Sequence, residues 1–261
     1  MALLTEFLLR LSFGMAAGMA IVPPRLVTSG YYRNHLYVTL GLSALAALLS
    51  RVAAPAAFWW AVATAVLSYV GSVCWLYEKR RAGVGLLVAV AMAAVIGALS
   101  INGRPTVSTD NATAVVLAAE PSLAEGLRMV QPITSGLLLG TTMAAMLLGH
   151  WYLNAPGMEL APLRRLLVAM AAAMALQAAL CGVGLALEAS HASLSTQDWL
   201  FLLLRWSFGL IGVMILIVLT WKTLEIPNTQ SATGILYVAV MGVFVGETMS
   251  LLLSAESAFP V

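Results

Sequence analysis

Eight blocks of apolar residues constrain this chain more than any other feature. They run over about 4–24, 36–53, 56–78, 82–101, 131–153, 163–187, 199–221 and 231–253, and each is close to the ~20 residues that cross a hydrocarbon core. A segment in lipid must satisfy its own backbone, which lone strands cannot do, so every block reads as a helix. The composition agrees: 61% of residues are hydrophobic and 9% charged, against about a quarter charged in a soluble domain. The fold class is therefore all-α, a polytopic integral membrane bundle of eight transmembrane helices, with residues 1–261 forming one transmembrane domain. Met1–Gly14 lacks a basic leader and carries Glu6 and Arg10 inside its apolar stretch, so it reads as the first span and not as a secretory signal.

Basic residues set the orientation. With the N-terminus outside, the inner loops hold Arg25, Arg33, Lys79, Arg80, Arg81, Arg164, Arg165 and Lys222, and the outer loops hold Arg51, Arg104 and Arg128. Eight against three predicts an N-out, C-out protein of the cell's inner (cytoplasmic) membrane. The one long connection, 102–129, then faces outside. It carries Asp110, Glu120 and Glu125, an Asn111-Ala112-Thr113 sequon, and a stretch from Leu123 to Met129 that reads as a short surface helix.

Within the apolar blocks a phrase repeats. Arg10-Leu11-Ser12-Phe13-Gly14 lies in the first span and Arg205-Trp206-Ser207-Phe208-Gly209 in the seventh; Leu36-Tyr37-Val38 and Leu236-Tyr237-Val238 open the spans that follow. Arginine inside a bilayer costs several kcal/mol unless it meets a partner. Glu6 is four residues from Arg10 and shares its helix face. Glu247, in the last span, falls at the depth of Arg205. The expected pairs are Glu6 with Arg10 and Arg205 with Glu247. Together they form a polar cluster in the outer half, suited either to guiding protons or to binding an anionic or quinone-like head group, or else simply locking the end helices together.

A second constellation lies on the inner side. His35 opens the second span from a polar loop, and His150 closes the fifth in Leu148-Gly149-His150-Trp151-Tyr152. Two histidines from different helices are candidate ligands of a b-type haem, with Arg25, Arg33, Arg164 or Arg165 at its propionates; the alternative is a pair of hydrogen-bonded interfacial residues. Small residues dominate the fourth and sixth spans, which places those two at the bundle centre. Trp59, Trp60, Trp75, Trp151 and Trp221 read as an interfacial belt. Gln177 is expected to bond to a neighbouring helix, and Cys74 and Cys181 to be small apolar residues at different depths. None of the spans shows a break in mid-membrane.

No nucleotide loop, nucleophile elbow or zinc-protease motif occurs, which argues against a hydrolase. A net charge of +2 scattered over short loops argues against a nucleic-acid partner. The layout resembles the membrane anchors of polysulfide and dimethyl-sulfoxide reductases, the NrfD-like quinol-handling family. The resemblance lies in the N-out, C-out arrangement, Glu6 in the first span, Arg205 in the seventh and Gly246-Glu247 in the last, and covers the end helices. It implies a quinone site near the outer face, no bound haem, and a catalytic or electron-transfer partner docked outside. The leading expectation is a membrane subunit of a redox complex that contacts quinone or haem and depends on other subunits. A small secondary transporter or channel and a structural assembly subunit are the alternatives.

Overall fold

The computed structural model describes residues 1–102, 121–155, 157–191, 196–226, 228–257 and 259–260. The expected sequon and the acidic residues Asp110 and Glu120 lie outside them. Eight helices are long and apolar enough to cross a membrane, and no strand occurs among the described residues. The chain is a multi-pass membrane protein. The helices are α1 (Ala2–Ile21), α2 (Ser29–Ala53), α3 (Phe58–Leu76, preceded by a 3-10 turn at Pro55–Ala57), α4 (Arg80–Asn102), α5 (Pro121–Asn154), α6 (Ala161–His191), α7 (Thr196–Glu225) and α8 (Thr229–Glu256).

Several helices outrun their apolar cores. α5 begins at Pro121, so Leu123–Met129 is continuous with the span and is no separate surface helix. Proline is well placed at a helix start, where its missing N–H has no intrahelical use. Pro132, further along, removes one helix bond without ending the helix. α2 begins at Ser29, one to two turns before its hydrophobic block, which draws His35 into the helix. α8 starts on Asn228, whose side chain accepts from the Ser231 N–H at 3.0 Å and caps the first turn.

Helices α1–α4 form one group, with α1 packed on α2 and α4 and α3 between α2 and α4. Helices α5–α8 form the other, with α5 against α6 and α8, and α7 against α8. The seam that joins them is α1 on α5. These two, and not α4 and α6, are the most buried spans. Glycine spacing explains the difference. Gly14 and Gly18 of α1 face Gly136, Gly140 and Ala144 of α5, and a Cβ added to Gly14 would lie 1.7 Å from the Gly136 carbonyl oxygen. Backbones approach this closely only where side chains are missing, at four-residue spacing on both helices. The small residues of α4 and α6 are spread around their helices instead: Gly85, Ala172, Ala175 and Ala179 are exposed to the surroundings.

The opposite end of the bundle is aromatic. Tyr32 stacks on Trp75 with ring centroids 4.0 Å apart, and Trp75 is buried. Trp75 is thus a core residue and no belt residue, because Gly83 of α4 leaves it space: a Cβ there would lie 2.6 Å from its ring. Trp59, Trp60 and Trp221 are exposed, as an interfacial position requires. Cys74 and Cys181 are both free thiols.

Candidate functional site

Glu6 and Arg10 meet as a buried i, i+4 ion pair on α1. The other guanidinium contacts of Arg10 reach α5: Nη1 donates to Ser135 Oγ at 3.2 Å, and Nη2 lies 3.5 Å from Gln131 Oε1. The Gln131 amide then donates to Ser250 at 3.2 Å and Ser254 at 3.0 Å on α8. Ser135 in turn donates to Glu247 Oε2 at 2.5 Å. Glu247 pairs with Arg205 of α7 at 3.4 Å, and Arg205 Nη1 also donates to the Gly246 carbonyl at 2.8 Å. The last contact reaches α6: Arg205 Nη2 donates to Cys181 Sγ at 2.8 Å, with the Gln177 amide 3.6 Å from the same sulfur.

The result is one continuous network through α1, α5, α6, α7 and α8. All four charged members are buried, Arg10 and Arg205 completely. Two guanidinium and two carboxylate groups balance, so the network introduces no net charge into the low-dielectric interior. Both expected ion pairs are present. Their junction through Ser135, the Gln131–Ser250–Ser254 branch and the Cys181–Gln177 end are not predictable from the pattern of charges. Cys181 is no inert apolar filler, since it accepts an arginine hydrogen bond. Gln177 does not reach across to another helix. It turns to Cys181 on its own helix, and its Oε1 has no partner among the described residues.

Backbone geometry brings α7 and α8 together here. Residues Arg205–Gly212 are wound as a π-helix between the α-helical pieces Thr196–Leu204 and Val213–Glu225. The seventh span therefore runs on as one helix whose middle is π-wound, and π segments recur at functional sites. Gly209 sits against Gly246, where a Cβ would come within 2.5 Å of the facing Cα. That approach delivers the Gly246 carbonyl and the Glu247 carboxylate to Arg205. The repeated phrase is thus used unevenly. Both arginines join the network and both glycines mark close helix contacts, but Phe13 is 9% exposed and Phe208 60%. Ser12 is buried and Ser207 exposed.

Three polar atoms of the network, Arg10 Nε, Arg205 Nε and Gln177 Oε1, are buried without a partner among the described residues, as are Ser12 Oγ and Trp206 Nε1 beside its arginines in sequence and Trp75 Nε1 at the other end of the bundle. A buried polar group without a partner is uncommon and costs about 1–3 kcal/mol. Apart from Trp75, three are N–H donors, one is a hydroxyl and one a carbonyl acceptor.

The histidines lie at the other end of the bundle in unlike surroundings. His35, expected in a solvated loop, is buried: its Nδ1 is 2.6 Å from the Tyr31 carbonyl, and its ring packs against Tyr31 and Trp151 at centroid distances of 4.4 and 6.3 Å. His150 is exposed, with Nδ1 3.2 Å from the Tyr237 hydroxyl. One ring is enclosed by aromatic neighbours and the other faces outward, so the two are not presented alike to an enclosed slot for a macrocycle. The side chain of His191 is outside the described residues. No protein-family model, curated protein or solved structure matches this chain.

Proposed function

We propose that this chain is an integral membrane subunit of a redox or electron-transfer complex. Its place is the cytoplasmic membrane, with both chain termini outside, and its buried network meets a quinone head group or passes protons. One observation carries the reading. The chain of contacts Glu6–Arg10–Ser135–Glu247–Arg205–Cys181 is buried and charge-balanced, yet it leaves donors and an acceptor unspent. Two ion pairs that only fastened helices would gain by satisfying those atoms, because an unpaired polar group is most costly in a low dielectric. A guest that exchanges protons or hydrogen bonds gives them a use. The described connections between spans are short, and the reading assigns the catalysis to partner subunits.

The test is isolation of the tagged protein from native membranes, with co-purifying subunits identified and quinol-dependent electron transfer measured per complex. Arg205→Lys and Glu247→Gln are expected to lower turnover per assembled complex at least tenfold, roughly the loss of one charge-assisted hydrogen bond, beyond any fall in abundance. Wild-type turnover in both variants would sink the reading.

A second reading is favoured by the π-helical winding of α7 beside Arg205. Departures from regular α-helical winding recur at functional sites, those of secondary transporters included. Solute uptake by the chain alone in proteoliposomes, abolished in Arg205→Ala, would select it.

A further inference from the structure

We infer that the gap between α6 and α7, on the half of the bundle that holds the network, is a lateral entrance from the bilayer. It admits a neutral, membrane-soluble molecule with a carbonyl or hydroxyl head group, which docks on Gln177, Cys181, Arg205 and Trp206. The inference rests on the redox reading above and names where the guest of the network binds.

The first argument is the spacing of the two helices. The backbones of α6 and α7 run close together alongside Val213–Glu225. Over Thr196–Gly212 the bridge is chiefly made by side chains: Leu185 and Trp206 both pack against the cluster of Leu202 and Leu253, and Arg205 reaches Cys181 at 2.8 Å. The π-helical segment begins at Arg205, within this stretch. Beside it Leu203, Phe208 and Val183 are exposed, so the gap opens onto the lipid-facing surface. Gly182 borders it with the Trp206 ring opposite, since a Cβ there would stand 3.8 Å from that ring, at ordinary van der Waals distance.

The second argument is the polar lining. The Gln177 amide and the Arg205 guanidinium flank the same sulfur, at 3.6 and 2.8 Å. Trp206 follows Arg205 in sequence and borders Gly182, the neighbour of Cys181. Three buried atoms around this point have no partner among the described residues: Arg205 Nε, Trp206 Nε1 and Gln177 Oε1. Two N–H donors can hold a carbonyl oxygen, and the amide oxygen can accept from a hydroxyl. The arrangement therefore serves both the oxidised and the reduced form of a head group that interconverts C=O and C–OH.

Charge selects against a phosphate. Both Nη atoms of Arg205 are already engaged, by Gly246, Glu247 and Cys181. No guanidinium fork is left to grip an anion in two places, which is how arginine holds phosphate. A neutral oxygen acceptor asks only for the Nε that remains.

The experiment is photo-crosslinking of the full chain in native membranes with an azido-benzoquinone carrying a short alkyl tail, followed by peptide mapping. Saturable adducts are expected on 177–185 and 203–208. Decyl-benzoquinone should displace them, and added phosphatidylglycerol should not. Trp206→Phe keeps the ring and removes one donor, and should raise the concentration of decyl-benzoquinone needed for displacement about tenfold. Gly182→Leu fills the gap at its mouth and should abolish the adducts. Adducts confined to other helices, with quinol turnover of the complex intact, would overturn the entrance and leave the redox reading standing. Displacement by the phospholipid, or unchanged displacement in Trp206→Phe, would overturn the neutral head group. Loss of both saturable labelling and quinol turnover in the wild-type protein would remove the inference together with the reading beneath it.

Discussion

Ser135 donates to Glu247 at 2.5 Å while accepting from Arg10 at 3.2 Å. One hydroxyl on α5 thereby fuses two ion pairs that belong to opposite ends of the chain. The seam between the two helix groups is both a place of very close backbone packing and the place where its buried charges communicate. A serine is small enough to fit beside the glycine-lined contact and still offers a donor and an acceptor at once.

Removal of that bridge isolates the pairs. Ser135→Ala takes a donor from buried Glu247 and an acceptor from buried Arg10 and should cost about 1–3 kcal/mol. The measure is the unfolding temperature followed by helical circular dichroism in detergent, which should fall. An unchanged midpoint would mean that the two pairs are independent.

Arg205 and Glu247 should be strongly coupled. Arg205→Met leaves a carboxylate buried with Ser135 as its remaining donor, a loss of about 3–5 kcal/mol for breaking a buried pair. Adding Glu247→Gln removes the stranded charge and should restore more than half of that loss. Denaturant unfolding of both single variants and the double variant reads the coupling; additive effects would contradict it.

Glycine substitutions should separate by location. Gly140→Ala places a methyl group 1.8 Å from the Gly14 carbonyl carbon, so α1 and α5 must part and the bridging hydrogen bonds must lengthen. Gly85→Ala meets nothing within 4 Å and should gain up to about 1 kcal/mol from helix propensity alone. Yield and thermal stability are expected to fall in the first variant and to hold or rise in the second.

Orientation has its own test. Lys79 and Thr196 are exposed at opposite ends of the bundle. With native cysteines replaced by serine, Thr196→Cys should react with a membrane-impermeant maleimide added outside intact cells. Lys79→Cys should react only after permeabilisation. The reverse pattern would place the termini and the polar network on the inner side.

Some of this was readable from particular residues. Glu6 and Arg10 pair because four residues is one helical turn, which needs no knowledge of a neighbour. Arg205 and Glu247 were matched by depth, a coordinate that counting along a span supplies. Ser135, Gln131 and Cys181 carried no such mark. A neutral polar or sulfur side chain costs little in an apolar span, so nothing local reveals which face it turns inward. Trp75 and His35 were misplaced for the related reason that nearness to a span end does not say whether a side chain faces lipid or the core.

The sequence alone determined that the chain crosses a membrane eight times, because a run of some twenty apolar residues has no other stable environment. It also determined that charges inside those runs must find partners. The tertiary structure decided which helices occupy the centre and how each is rotated. Those choices depend on where two glycine-bearing surfaces can touch, as α1 and α5 do at Gly14 and Gly140 and α7 and α8 do at Gly209 and Gly246. Close approach is a property of a pair of helices, whereas hydropathy is a property of one, and so the network that links five helices came into view only when they were assembled.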